Sequence, residues 1–323
     1  MMPRNPQSTG GFDCRIPGAS KLIPPGSSPL RIPDEILKCV AFTAYAKGEE
    51  RHLNGTAFFV IIPDKEYSRF YGYIVSARHV IEQVSKNGDG QVYLRVNRKD
   101  NSTEEHWLTS DVATWKFHPT DPRIDVAAVE LPGWPRTHDH VFYPTTGFAT
   151  ADVVKQKDIG IGDELFFPGL FVRHFGKVNN IPIARLGNIA SMPSEPAPLK
   201  TGWSRAYLVE ARSIGGLSGS PVFVYLPSDR DGPDGPFDMN TAIPLGGGDI
   251  YLLGLVHGHW DAHFSEDRAA PDFIWDKNDR VNMGIGVVVP ADQILEVLNQ
   301  ECFAQSREDR KQAYLKSLAP EMD

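Results

Sequence analysis

The sequence predicts an all-β protein, and three observations carry that expectation. Short apolar or alternating runs rich in Val, Ile, Phe and Tyr recur along most of the chain. Clusters of Gly, Pro, Asn and Asp separate them. No long amphipathic helical pattern interrupts them before the C-terminal region. β-Branched and aromatic side chains suit a pleated, half-buried surface, so such runs read as strands and the separators as turns. Antiparallel sheets closed into sandwiches or barrels follow.

Taken in order, residues 1–33 are rich in Pro, Gly and Ser and are expected to form an extended arm. Strands are then predicted in ILKCVAFTAY from Ile36, GTAFFVII from Gly55, YGYIVSA from Tyr71, QVYLRV from Gln91 and DVAAVEL from Asp125. Residues 133–162 are mixed and turn-rich, which places the division between two β domains, 34–150 and 151–290, near residue 150. In the second half the strand runs are DELFFPG from Asp163, AYLVEA from Ala206, SPVFVYL from Ser220, YLLGLVHG from Tyr251 and NMGIGVVV from Asn282. Between two of them, residues 226–250 form a long surface loop. Its Asp229, Asp231 and Asp234 break the alternating spacing of a calcium-binding loop, and no glutamate closes it. After Pro290, a residue that often starts a helix, ADQILEVLNQECF sets Ile294, Leu295, Leu298 and Cys302 on one face. Residues 291–323 are therefore read as a C-terminal helix and tail.

Composition narrows the function classes. A chain of 323 residues, 41% hydrophobic, can bury one large or two modest cores without cross-links. A formal net charge of -8 argues against nucleic acid or an anionic membrane as partner, since both call for clustered Lys and Arg. The three cysteines, Cys14, Cys39 and Cys302, are an odd, widely spaced set that suggests neither a disulfide framework nor a zinc site. No segment approaches the roughly 20 apolar residues that span a bilayer, and the N-terminus carries no apolar stretch of leader length. A cytoplasmic protein without metal or cofactor is expected.

Chemistry concentrates in three places. SIGGLSGSPV, residues 213–222, sets Ser218 between glycines at the mouth of an apolar run, where the backbone can turn sharply and another main chain can come close. A serine hydroxyl needs a neighbouring base to become a useful nucleophile. SARHVIE supplies one, with His79 at the end of an apolar strand and before a short helical turn. Of the ten histidines, His52, His106, His118, His138, His140, His174 and His263 sit in polar or turn-like segments. RIDVAAVEL opens a strand with Asp125, a carboxylate that would be costly to bury without hydrogen-bond partners.

His79 after one strand, Asp125 opening another and the Gly-Leu-Ser-Gly block entering a third, in that order, resemble the chymotrypsin-like, or trypsin-like, serine peptidase family over residues 36–290. The resemblance implies two six-stranded antiparallel barrels with the three residues meeting in the cleft between them. It implies an endopeptidase acting on protein or peptide substrates, with His79 as general base and acid, Asp125 orienting it, and Ser218 as nucleophile. The N–H groups of Gly216 and Ser218 would form the oxyanion hole. By the same resemblance Arg212, Ser213, His257 and His259 line the pocket for the residue before the scissile bond, with acidic side chains favoured where the cationic groups point inward.

The chain departs from the digestive members of that family: Leu217 stands where they carry the aspartate that pairs with a new N-terminal amine. The site is therefore expected to be permanently formed, or switched by a regulatory protein or the N-terminal arm. Scarcity of cysteine fits the bacterial or viral branches. Two other readings are an inactive member of the same fold serving as a protein-binding module, and an α/β-hydrolase esterase. Against the esterase, Gly216-Leu217-Ser218-Gly219-Ser220 lacks the final glycine of the nucleophile elbow, and the acid precedes the serine.

Overall fold

Most of the apolar runs do become strands. The computed structural model describes residues 31–100, 104–131, 133, 137–199, 202–211, 216–227, 248–263 and 280–318. Nearly all of the expected arm, most of the 226–250 loop, Arg212 and Ser213 lie outside these residues.

The first half contains β1 (Val40–Lys47), β2 (Glu50–Asp64), β3 (Arg69–Ser76), β4 (Gln91–Val96), β5 (His106–Asp111), β6 (Lys116–Phe117), β7 (Ala127–Leu131) and β8 (Tyr143–Pro144). They form one sheet in the order β5-β4-β1-β2-β3-β7-β6, antiparallel throughout, with β8 lying parallel beside β2. The second half contains β9 (Glu164–Gly169), β10 (Ile183–Ser191), β11 (Ala197–Leu199), β12 (Gly202–Ser204), β13 (Tyr207–Glu210), β14 (Pro221–Pro227), β15 (Gly248–His263) and β16 (Arg280–Pro290). Six of these close into the barrel β10-β13-β16-β15-β14-β9, while β11 and β12 form a separate hairpin. The predicted architecture is thus present, with one refinement. The second barrel is closed, whereas the first sheet curls, and its end strand β6 is only two residues long, a short ladder for closing a barrel.

Among the described residues five α-helices accompany the sheets: α1 (Asp34–Leu37), α2 (Arg78–Asn87), α3 (Ala151–Gln156), α4 (Ala291–Leu298) and α5 (Glu301–Leu318). Three expectations change in detail. Ile36 and Leu37 belong to α1, so the first strand begins later, at Val40. His79 lies in a ten-residue helix, not a brief turn, because Val80, Ile81 and Val84 all find burial against the first sheet. The C-terminal helix is two helices. Chain direction changes at Asn299 and Gln300, so Phe303 takes the buried position and Cys302 is exposed.

One core spans both sheets. Phe58, Tyr73 and Val75 from the first half pack with Phe166, Phe223 and Leu252 from the second, and α4 adds Ile294, Val297 and Leu298. Phe166 and Phe223 stack with centroids 5.3 Å apart, and Tyr143 meets Phe223 edge-on at 5.0 Å. A second tie is polar. Arg95 on β4, wholly buried, donates to the carbonyls of Phe175 (3.2 Å) and Gly176 (2.9 Å) in the β9–β10 connection and pairs with Glu105 at 3.0 Å. Asn180 from the same connection donates Nδ2–H to the Arg95 carbonyl at 2.6 Å, and its N–H is accepted by Asn97 Oδ1 at 2.6 Å.

Tyr143 buries its hydroxyl in that shared core and donates to the Ile250 carbonyl at 2.6 Å, with the Gly147 carbonyl 3.2 Å away. Tyr143→Phe keeps the ring and leaves a buried carbonyl short of a donor, so urea denaturation should show a loss of about 1–2 kcal/mol. An unchanged midpoint would mean that this bond contributes nothing.

Candidate active site

The turn that carries Ser218 is held from the other sheet. Thr56 on β2 donates its N–H to the Ser218 carbonyl (3.0 Å) and its hydroxyl to the Gly216 carbonyl (2.9 Å), while Thr56 Oγ1 accepts the Leu170 N–H (2.9 Å). Gly219 has φ +84°, and a Cβ there would run into the Thr56 carbonyl oxygen and the Ser76 hydroxyl. Glycine alone permits both the left-handed backbone and this approach of two main chains. Gly216 has φ +100° and lies against Leu170 and Val172. Leu217 between them is fully buried in the core of the second barrel. Among the described residues the N–H groups of Gly216 and Ser218 donate to no protein acceptor.

His79 and Asp125 meet at the start of α2. The N-cap residue of this helix, Ala77, offers no side-chain acceptor; its carbonyl takes the Val80 and Ile81 N–H groups, and the His79 N–H is left without a local partner. Asp125 supplies one from a distance: its Oδ1 accepts the His79 backbone N–H at 2.8 Å, and its Oδ2 lies 2.7 Å from His79 Nδ1. A carboxylate is favoured at a helix N-terminus, where the aligned peptide dipoles place partial positive charge. The helix itself is fixed to the sheet by Asn54, whose Nδ2–H reaches the Val80 carbonyl at 2.9 Å while its Oδ1 accepts from Thr43 at 2.9 Å. Arg78 donates to the Pro122 carbonyl at 3.1 Å, which holds the segment before Asp125 alongside.

A second imidazole completes the cluster. His257 Nδ1 lies 2.6 Å from Asp125 Oδ2, the oxygen that also faces His79. The two rings stand nearly perpendicular with centroids 5.8 Å apart. Asp125 is 3% exposed, so an isolated charge would be costly there. Burial pushes its pKa up, but hydrogen bonds from His257 and His79 outweigh that and leave it well below the usual carboxylate range. An ionised carboxylate only accepts, so each Nδ1 carries the proton it shares with Asp125. Ser218 Oγ donates to the His257 carbonyl at 3.4 Å, a long bond.

His79, Asp125 and Ser218, expected to converge, are therefore linked through His257. That residue was expected to face a substrate side chain; instead its Nδ1 is turned onto the acid. The reason is local: β15 and β16 pair Val256 with Val288 and Gly258 with Val287, so His257 is the extra residue of a bulge, and bulges re-aim side chains. His259 is half-buried on the same strand. His79, Asp125 and His257 are also the one set among the described residues with donor atoms close enough, within 4.8 Å, to ligate a metal. Their Nδ1 to Oδ2 separations are those of direct hydrogen bonds, which an ion would have to break. Sequence reading missed Thr56, whose GTAFF setting marked it only as strand, and the contact of His257 with the acid.

No protein-family model matches the chain, and no curated protein does. The structure is similar to several solved structures. One is the MamO protease domain from Magnetospirillum magneticum in its apo form, 12% identical, with a TM-score of 0.44 and coverage of 81% of this chain and 96% of that one. Another is an inactive-form mutant of Rv3671c from M. tuberculosis H37Rv, 16% identical at a TM-score of 0.40, covering 81% and 87%. A third is HBP, 11% identical at 0.44, covering 84% and 96%.

The depressed pKa of Asp125 sets a pH window. Its contribution to stability is complete above the unfolded-state pKa, about 3.9, and is lost as pH falls through the lower folded-state value. In urea titrations of the wild type and Asp125→Asn, the stability gap should persist from pH 7 to about 4 and narrow only below that. A gap that closes between pH 7 and 5 would contradict the assigned charge.

Proposed function

We propose that this chain is a serine endopeptidase. The observation that carries the reading is the anchoring of His79: with Nδ1–H committed to Asp125 at 2.7 Å, its Nε2 is left as the basic nitrogen. In this reading Nε2 takes the Ser218 hydroxyl proton as Oγ attacks a peptide carbonyl, and the acyl-enzyme forms on Oγ. His79 returns that proton to the departing amine, water then repeats the sequence on the ester, and Asp125 offsets the imidazolium formed at each stage. The oxyanion is assigned to the Gly216 and Ser218 N–H groups, which have no protein acceptor among the described residues. Loss of one such donor typically costs about 10²–10³ in kcat. Thr56 supports a site that needs no inserted amine, since it grips the carbonyls on either side of Leu217.

One observation favours a second reading, an inactive fold that binds proteins: Ser218 Oγ is bonded to the His257 carbonyl. Catalytic hydrogen bonds are often loose before substrate arrives, so a long bond at 3.4 Å is compatible with the first reading as well. Reaction with a fluorophosphonate separates the two. Covalent labelling of Ser218, with turnover of a peptide library, is the expected result; a Ser218 that never labels sinks the peptidase.

Within that framework, Ser218→Ala and His79→Ala should each lower kcat by roughly six orders of magnitude, as loss of a member of such a unit does. Asp125→Asn should cost about 10⁴ with the fold retained. Full activity in any of the three, measured on the same peptides, would end the assignment.

A further inference from the structure

We propose that His257 is a positioning residue for this site, a second imidazole that shares the Asp125 carboxylate with His79 and limits the positive charge His79 can take up. The proposal rests on the peptidase reading for its kinetic consequence, though not for its structural one.

A carboxylate oxygen has two lone pairs, and here both are engaged: Oδ2 receives Nδ1–H from His79 at 2.7 Å and from His257 at 2.6 Å. His257 is the more enclosed partner, its side chain 10% exposed against 33% for His79. The groups that face it among the described residues are Asp125 ahead of β7, His79 on α2, and the Ser218 hydroxyl, which reaches its carbonyl. From β16 the residues opposite the bulge are Val287 and Val288, which carry no charge. The bulge is what makes the arrangement available, since a regular ladder would send alternate side chains to opposite faces.

With both imidazoles neutral the cluster carries one negative charge. Attack by Ser218 moves a proton from Oγ to His79 Nε2, and the cluster becomes neutral overall: one carboxylate, one imidazolium and one neutral imidazole. If His257 already holds an extra proton, the same step creates two imidazolium rings 5.8 Å apart on one carboxylate. Like charges at that separation in a shielded site oppose each other. Protonation of His257 therefore suppresses the base function of His79 without touching substrate.

The test reads the second-order rate of Ser218 labelling by an alkyl fluorophosphonate from pH 4 to 9, in wild type, His257→Asn and His257→Leu. Asparagine offers a neutral N–H donor where Nδ1 stood and cannot titrate; leucine offers neither. The wild type should lose reactivity on the acid side more steeply than a single proton allows, and His257→Asn should follow a one-proton curve. His257→Leu should lose about ten- to a hundredfold at the alkaline plateau, the effect of one charge-assisted hydrogen bond, and His257→Asn should recover part of that. Wild-type slope and plateau in both variants would overturn the proposal. If the wild type never labels, the peptidase reading fails and proton NMR decides this one separately. Two downfield imidazole Nδ1–H resonances are expected in the wild type and one in His257→Asn; a single resonance in the wild type overturns it.

Discussion

Asp125 accepts three N–H groups, and each bond does a different structural task. Through Oδ1 it closes the N-terminus of α2, a helix whose own N-cap residue has no side-chain acceptor. Through Oδ2 it orients two imidazoles that come from opposite halves of the chain. The order of causes matters. Because the carboxylate is buried, its charge is tolerable only with those donors in place. Because the donors are in place, the charge persists. The start of α2 and the placing of the two imidazoles thus depend on one carboxylate.

Contact between the two sheets provides the other constraint. Thr56 uses all its polar groups on the Ser218 turn and its surroundings: the N–H and hydroxyl donate to Ser218 and Gly216 carbonyls, the hydroxyl oxygen accepts from Leu170, and the carbonyl accepts from Ser76. Packing this close leaves no volume for a side chain at Gly219. Thr56 on β2 thereby fixes the Gly216–Leu217 and Ser218–Gly219 peptide groups, so the turn inherits the rigidity of a buried strand.

Much of this was legible in the sequence. Strand runs such as GTAFFVII and SPVFVYL announced β2 and β14 because both faces of these strands are buried and no polar alternation blurs the signal. β10, IARLGNIAS, gave a weaker signal, since its outer face is exposed. Ser218, His79 and Asp125 stood out by their settings: glycine neighbours, a strand end, a strand start. The partners that complete the site did not. His257 read as a residue lining a substrate pocket, and only the register shift against β16 turns it toward Asp125. Long-range register is a property of two strands together, and neither strand encodes it alone.

Arg95 has an implication for how the chain holds together. A guanidinium wholly enclosed by β4 and the β9–β10 connection has its charge balanced by Glu105 and by carbonyls that belong to the other half. Prising the halves apart would take two carbonyl acceptors from Arg95 and uncover apolar surface, including Phe58, Phe166 and Phe223. A molecule severed near residue 150 should accordingly yield fragments that recombine or aggregate rather than two autonomous domains, and the Thr56 bonds that hold the Ser218 turn exist only in the reunited whole.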